Sequence, residues 1–265
     1  MKNFIVTFIL SSFLLIGCDL INGDDFKSTD KGTLKISLDN VAGSQDLVLS
    51  TGNYTNASNE SFNVTTLKYF ISNIKLTNEN GTEYVYPQDN SYFLVDESKP
   101  ESLTLNLTDV PAGNYTGITY TIGVDSLRNT MDVTKRTGNL DIAGTAQGMY
   151  WAWNSGYIFF KMEGTSPQIA TSNYRYHIGL YGGLSTKTVN NVKKNTLAFG
   201  SETLKVRKDK NPQINLKMDV LKVFTGNNNL KLVDNPVIMV SPLSVNVSAN
   251  YVNAFSFSSI TADVK

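Results

Sequence analysis

The sequence predicts an all-β protein: an antiparallel two-sheet β-sandwich with at most one or two short helices. Three observations carry this prediction. Apolar residues alternate at a period of two, turn-forming residues punctuate those runs, and helical periodicity is scarce. Charged residues make up only 17% of the 265-residue chain, while Asn, Thr, Ser and Gly are abundant, as suits an exposed β-protein with many turns.

The strands read off in order. Leu34, Ile36 and Leu38 alternate with polar neighbours, as do Leu103, Leu105 and Leu107. The same period recurs at Ile118, Tyr120 and Ile122, at Tyr174, Tyr176 and Ile178, at Ile214, Leu216 and Met218, and at Phe255 and Phe257. Such alternation places one face on a core and the other toward solvent or a second layer. Asn80-Gly81, Pro111 to Asn114, Gly182-Gly183 and Gly226-Asn227 supply the turns. Residues Asp219 to Phe224, stopped by Gly226, are expected to form one short helix.

The N-terminus carries different information. Lys2 precedes an apolar run from Phe4 to Ile16, the pattern of a secretory signal peptide. At about a dozen residues the run is too short to cross a hydrocarbon core of roughly 30 Å. Leu15-Ile16-Gly17-Cys18 resembles the lipobox cut by lipoprotein signal peptidase, so lipid on Cys18 is expected to hold the mature protein to a membrane. Cys18 is the chain's one cysteine, and lipidation leaves no thiol for a disulfide. Asp19 to Gly32 is polar and aperiodic, and reads as a tether reaching on the order of 20 Å. Asp24 and Asp25 are then solvated tether charges. The expected organisation is residues 1–17 as signal peptide, 18–32 as lipidated cysteine and tether, and 33–265 as a single domain. The expected location is the cell envelope, with the outer membrane preferred.

Lys plus Arg and Asp plus Glu each number 23; loss of Lys2 leaves 22 basic against 23 acidic side chains. With no basic run or patch, nucleic acid is not an expected partner. Phosphate-binding glycine loops, HExxH, CxxC and GxSxG are all missing. Pairs such as Asp125 with Asp132 or Asp141 carry no spacing signal for glycoside hydrolysis, and an enzyme is not expected.

One stretch stands apart, from Gly148 to Gly164 (GMYWAWNSGYIFFKMEG). Both tryptophans of the chain, Trp151 and Trp153, lie in it, and in a strand they would share a face. The plain reading is that they plug the sandwich core; the functional one is that a ring faces a site. This stretch resembles the hallmark of MbnP-like proteins, exported copper-binding partners associated with methanobactin operons, and their lipoprotein relatives. Further pieces follow in the family's order: Leu67 to Leu76, Tyr92 to Asp96, Val110 to Tyr115, Ile122 to Asp125 and Tyr174 to Gly179.

The resemblance implies a copper site near the tryptophan pair and His177, with Trp151 or Trp153 oxidised by a di-haem partner protein of the peroxidase type. His177, the single histidine, would be a ligand; with no thiol in the mature chain, the remaining candidate donors are Met149, Asp125, Met131, Asp132, a modified tryptophan or backbone carbonyls. The copper-binding branch carries another histidine shortly after its Gly-Val motif, where this chain has Asn129. One imidazole with hard oxygen donors is a sparse set for copper. A second reading therefore stands beside copper handling: a non-catalytic lipoprotein of the same fold without metal. In it Tyr150, Trp151, Trp153 and Tyr157 form a glycan or protein platform, or plain core.

Overall fold

The computed structural model describes residues 26, 27, 29–151, 156–226 and 229–264; residues 1–17, read above as a signal peptide, lie outside them, as do Cys18 and Trp153. In chain order the first strands are β1 (Lys31–Ala42), β2 (Gln45–Asp46), β3 (Tyr54–Thr55), β4 (Ser61–Phe62), β5 (Thr66–Asn78), β6 (Glu83–Val85), β7 (Tyr92–Asp96), β8 (Thr104–Pro111) and β9 (Gly113–Ile122). A short helix α1 (Ser126–Thr130) opens a long excursion. There follow β10 (Tyr150–Trp151), β11 (Gly156–Thr165), β12 (Asn173–Gly179), β13 (Lys193–Ala198), β14 (Leu204–Val206), β15 (Gln213–Asp219) and β16 (Val237–Ile238). Helix α2 (Ser244–Val252) and strand β17 (Phe255–Thr261) end the series.

Two sheets dominate. The smaller runs β17-β15-β1-β2, with β8 also paired to β1. The larger runs β13-β9-β5-β11-β12-β16, with β6, β7, β10 and β14 added at its margins. The strands alternating in the sequence supply the interior: Leu34, Ile36, Leu38, Ile214 and Leu216 from one sheet meet Tyr69, Ile118, Tyr120, Tyr176 and Ile178 from the other. Burying each large apolar side chain contributes about 1.5–3 kcal/mol. Edge-on aromatic pairs such as Tyr69–Phe255, 5.4 Å between ring centres, add roughly 0.5–1.5 kcal/mol each.

The sandwich is antiparallel except at two places. Strand β1 pairs β15 in parallel, Ile36 beside Ile214 and Leu38 beside Leu216, and β12 pairs β16 in parallel. A parallel neighbour requires a long crossover, which the intervening larger sheet provides. Where a short helix was expected at Asp219–Phe224, the chain makes a 3₁₀ turn, Val220–Val223, in which the Leu221 amide donates to the Asp219 carboxylate. Pairing of β1 begins at Lys31, inside the segment read as tether, and the Phe26 ring lies 4.4 Å beneath the Arg207 guanidinium.

A second apolar cluster positions the site. The outward side of β5, β7 and β11 contributes Phe70, Tyr92, Leu94, Tyr157 and Phe159, and the excursion after β9 folds back to cover them with Val124, Leu140, Ala146, Met149 and Trp151. Gly123 makes that turn possible. Its φ is +119°, and a Cβ there would come within 2.9 Å of the Phe159 ring, so both backbone freedom and space demand glycine.

Candidate functional site around Trp151 and His177

Trp151 sits on β10, which pairs with the start of β11, Trp151 opposite Gly156 and Tyr150 opposite Tyr157. The indole is 5% exposed and Met149 is fully buried. The benzo edge of the ring rests on Gly179, where a Cβ would approach Cζ3 to 2.7 Å and Cη2 to 3.2 Å. His177 precedes Gly179 by two residues on β12 and so faces the same side of the sheet. Their Cα atoms are roughly 7 Å apart at the usual strand rise. Trp151 thus rests against the histidine strand at Gly179, two residues beyond His177.

Lys161 on β11 lies directly opposite His177, and Glu163 opposite Arg175. The Glu163 carboxylate reaches diagonally to His177, with Oε1 2.6 Å from Nε2. Burial pushes the imidazole pKa below its ordinary 6.5, overriding the opposing pull of Glu163. For Glu163 the balance is reversed: burial alone would raise it, but the bond from His177 and the Lys161 charge hold it below 4.5. At neutral pH the pair is thus a neutral imidazole donating Nε2–H to a carboxylate, the tautomer being assigned from that bond. Nδ1 keeps its lone pair, with no hydrogen-bond partner among the described residues. Lys161 Nζ is 3.6 Å from the same Glu163 oxygen and places a positive charge beside the pair.

Other expected participants are placed elsewhere. Asp125 caps α1 through the Arg128 amide at 3.2 Å. Its Oδ2 accepts from the Tyr92 hydroxyl at 2.5 Å and from Asn73 at 3.0 Å. Burial and that carboxylate raise the Tyr92 pKa strongly. Among the described residues, no three of His, Cys, Asp and Glu gather as a metal-binding group. Asn129 is 1% exposed and fully used. Its Nδ2 donates to the carbonyls of Val124 at 2.5 Å and Asp125 at 3.0 Å, and its Oδ1 accepts the Tyr157 amide at 2.9 Å.

The aromatic platform does not form as an open surface among the described residues. Tyr157 is fully buried, its hydroxyl donating to the Leu140 carbonyl at 2.5 Å, and desolvation pushes its pKa up to about 12. Tyr150 meets it edge-on at 5.4 Å. The Arg136 guanidinium lies over both rings, 5.0 Å from Tyr150 and 5.4 Å from Tyr157. Its Nη2 donates to the carbonyls of Asn129 at 2.9 Å and Met131 at 2.7 Å. Contacts of this kind are structural packing with a buried cation.

Sequence reading missed Glu163, Gly179, Arg136 and Asn191. A hairpin register between Gly156–Thr165 and Asn173–Gly179 would have brought Glu163 to His177. Asn191 carries no local signal: it is fully buried, donating to the Gly179 carbonyl at 2.7 Å and to Ser244 at 2.9 Å.

Comparison with known proteins adds the relationship. The fold is similar to that of MbnP from Methylosinus trichosporium, with a TM-score of 0.50, 14% identity, and coverage of 76% of this chain and 83% of that one. No curated protein sequence matches. The model of the MbnP family matches residues 31–240, most of the chain and nearly all of the sandwich. The chain belongs to the MbnP family.

Proposed function

We propose that the chain is a membrane-anchored envelope lipoprotein whose domain takes up copper as an exchangeable cargo on Nδ1 of His177, beside Trp151. Its role is binding and not catalysis. The observation that carries this reading is the Glu163–His177 pair. A metal-ligating histidine ordinarily donates its other ring N–H to a carboxylate, which fixes the tautomer and aims the free nitrogen. Here Glu163 does this at 2.6 Å, on the sheet face where Trp151 ends.

The donor set argues for loose binding. Copper favours imidazole and soft sulfur, and a tight site recruits several such ligands. Met149 is sealed in the second cluster, Asp125 is held by Tyr92 and Asn73, and Lys161 opposes a cation. A cargo ion at His177 would therefore need donors from outside, or from a tryptophan oxidised by a di-haem partner. Anchoring rests on the lipobox at Cys18, with the outer membrane as the preferred location.

Asn129 favours a second reading, a metal-free binding module of the same family. It stands where the resemblance places another imidazole, and its amide is fully committed to backbone groups. Copper titration against a weak competing chelator separates the two. Uptake of one equivalent, abolished in His177→Ala and weakened about 10- to 100-fold in Glu163→Gln, supports copper handling. Uptake that survives His177→Ala removes it.

A further inference from the structure

A cleft of about 730 Å³, lined by neither Trp151 nor His177, falls within the roughly 300–1,000 Å³ range of small-molecule sites. One wall is the turn Gln88–Asn90 with Tyr92 and Asn106; the other is the excursion from Arg128 to Leu140. Arg128 lies at its base, its side chain 14% exposed and its guanidinium 5.3 Å from the centre of the Tyr92 ring. Nη1 donates to the Met131 sulfur at 3.3 Å, and Nη2 is paired with Asp89. Nε is buried without an acceptor.

That arrangement leaves a guanidinium under-satisfied. A buried donor lacking an acceptor costs about 1–3 kcal/mol, more when charged. Its one carboxylate comes from Asp89, 86% exposed on a 3₁₀ turn that buries none of its residues. Lys135 adds a second cation to the same cleft. The remaining lining is rich in groups that both donate and accept: the amides of Asn90, Asn106 and Asn139 and the hydroxyls of Thr108 and Thr137. Such groups match the hydroxyls of a sugar, each of which also donates and accepts.

We propose that this cleft binds an acidic saccharide, a sugar bearing a carboxylate. The sugar's carboxylate takes the place of Asp89 on Arg128, bridging Nη2 and the unpartnered Nε side-on. Lys135 adds charge, and the amides and hydroxyls receive the ring hydroxyls. Asp89 is then an internal stand-in for the ligand: it keeps Arg128 paired when the cleft is empty and competes with the incoming carboxylate.

Calorimetric titration of the purified protein with digalacturonate, with neutral digalactose and with acetate tests this. Digalacturonate is expected to bind at least tenfold more tightly than either control, and more weakly as salt rises. Asp89→Asn is expected to tighten digalacturonate binding severalfold by removing the competitor, and Arg128→Gln to weaken it at least tenfold. Should Arg128→Gln not fold, Lys135→Gln and Asp89→Asn still decide the matter. Equal binding of digalactose overturns the role of charge, and equal binding of acetate overturns the role of the hydroxyls. No binding by the unaltered protein, or no tightening in Asp89→Asn, overturns the proposal as a whole.

Discussion

Adding a single methyl group at Gly179 tests how Trp151 is seated. In Gly179→Ala the new Cβ would lie 2.5 Å from the Tyr157 carbonyl oxygen and 2.7 Å from Cζ3 of Trp151. Ordinary carbon contacts fall at about 3.5–4.0 Å, so something must move by nearly an ångström. The carbonyl belongs to β11, paired on both sides, and cannot retreat alone. Relief requires β11 to shift together with its pairing partners and the indole to be displaced with it. Gly179 does not have a positive φ, which leaves packing as the whole penalty. Overpacking of this kind costs about 1–3 kcal/mol. At about 2–4 °C per kcal/mol for a domain of this size, the middle of that range is a loss of roughly 4–8 °C in Tm. Thermal unfolding followed by circular dichroism reads the loss. Indole emission in a Trp153→Phe background, which leaves Trp151 as the single tryptophan, reads the displacement. An unchanged Tm together with unchanged emission would refute this seating of the ring.

Because His177 is the only histidine, its imidazole titration by NMR is unambiguous. It is expected to have its midpoint below 6.5, and lower still in Glu163→Gln, where the carboxylate that favours the charged ring is gone; a midpoint at or above 6.5 contradicts the burial argument. A depressed His177 and a depressed Glu163 act in the same direction. The unfolded chain binds protons more readily than the folded one, so stability falls as pH drops through 6.5 and again toward the folded value of Glu163. A melting temperature that rises on acidification from pH 7 would reverse that sign. Asn191→Ala strips partners from Gly179, Ser244 and Ser248 together and should cost about 2–4 kcal/mol in chemical denaturation; a loss under about 0.5 kcal/mol would show the network to be dispensable. Cys18→Ser should release the protein from the membrane fraction or leave it unprocessed, and correct cutting with retained membrane attachment would rule out lipid anchoring.

Local pattern made most of the sandwich legible. Leu34, Ile36 and Leu38, or Tyr174, Tyr176 and Ile178, alternate because one sheet face is buried, and that constraint is written directly into sequence. Pairing partners were not legible: the parallel contact of β1 with β15 joins residues some 180 positions apart. Helix α2 was missed although its buried Ser244, Val247, Ser248 and Tyr251 fall at helical spacing. Two of those four are serines, so a hydrophobic pattern does not register them. At the candidate site, Trp151 and His177 stand out in the sequence because their residue types are rare in this chain and the family resemblance covers both. Their true neighbours were hidden for a physical reason. Glu163 looks like any outward strand carboxylate until the hairpin register brings it to the imidazole, and Asp125 looks like a ligand until Tyr92 and Asn73 are seen to hold it.

The proposal under which His177 carries copper as cargo beside a tryptophan is open to measurement. It is tested by the copper content of the protein purified from its native host, after competition with a weak chelator, alongside peptide masses for Trp151 and Trp153. About one copper per chain is expected, and none in His177→Ala. If an oxidised tryptophan supplies further donors, one tryptophan peptide will also carry the small mass gain of a carbon replaced by oxygen. Copper-free native protein with both tryptophans unmodified would contradict it, leaving the metal-free binding module.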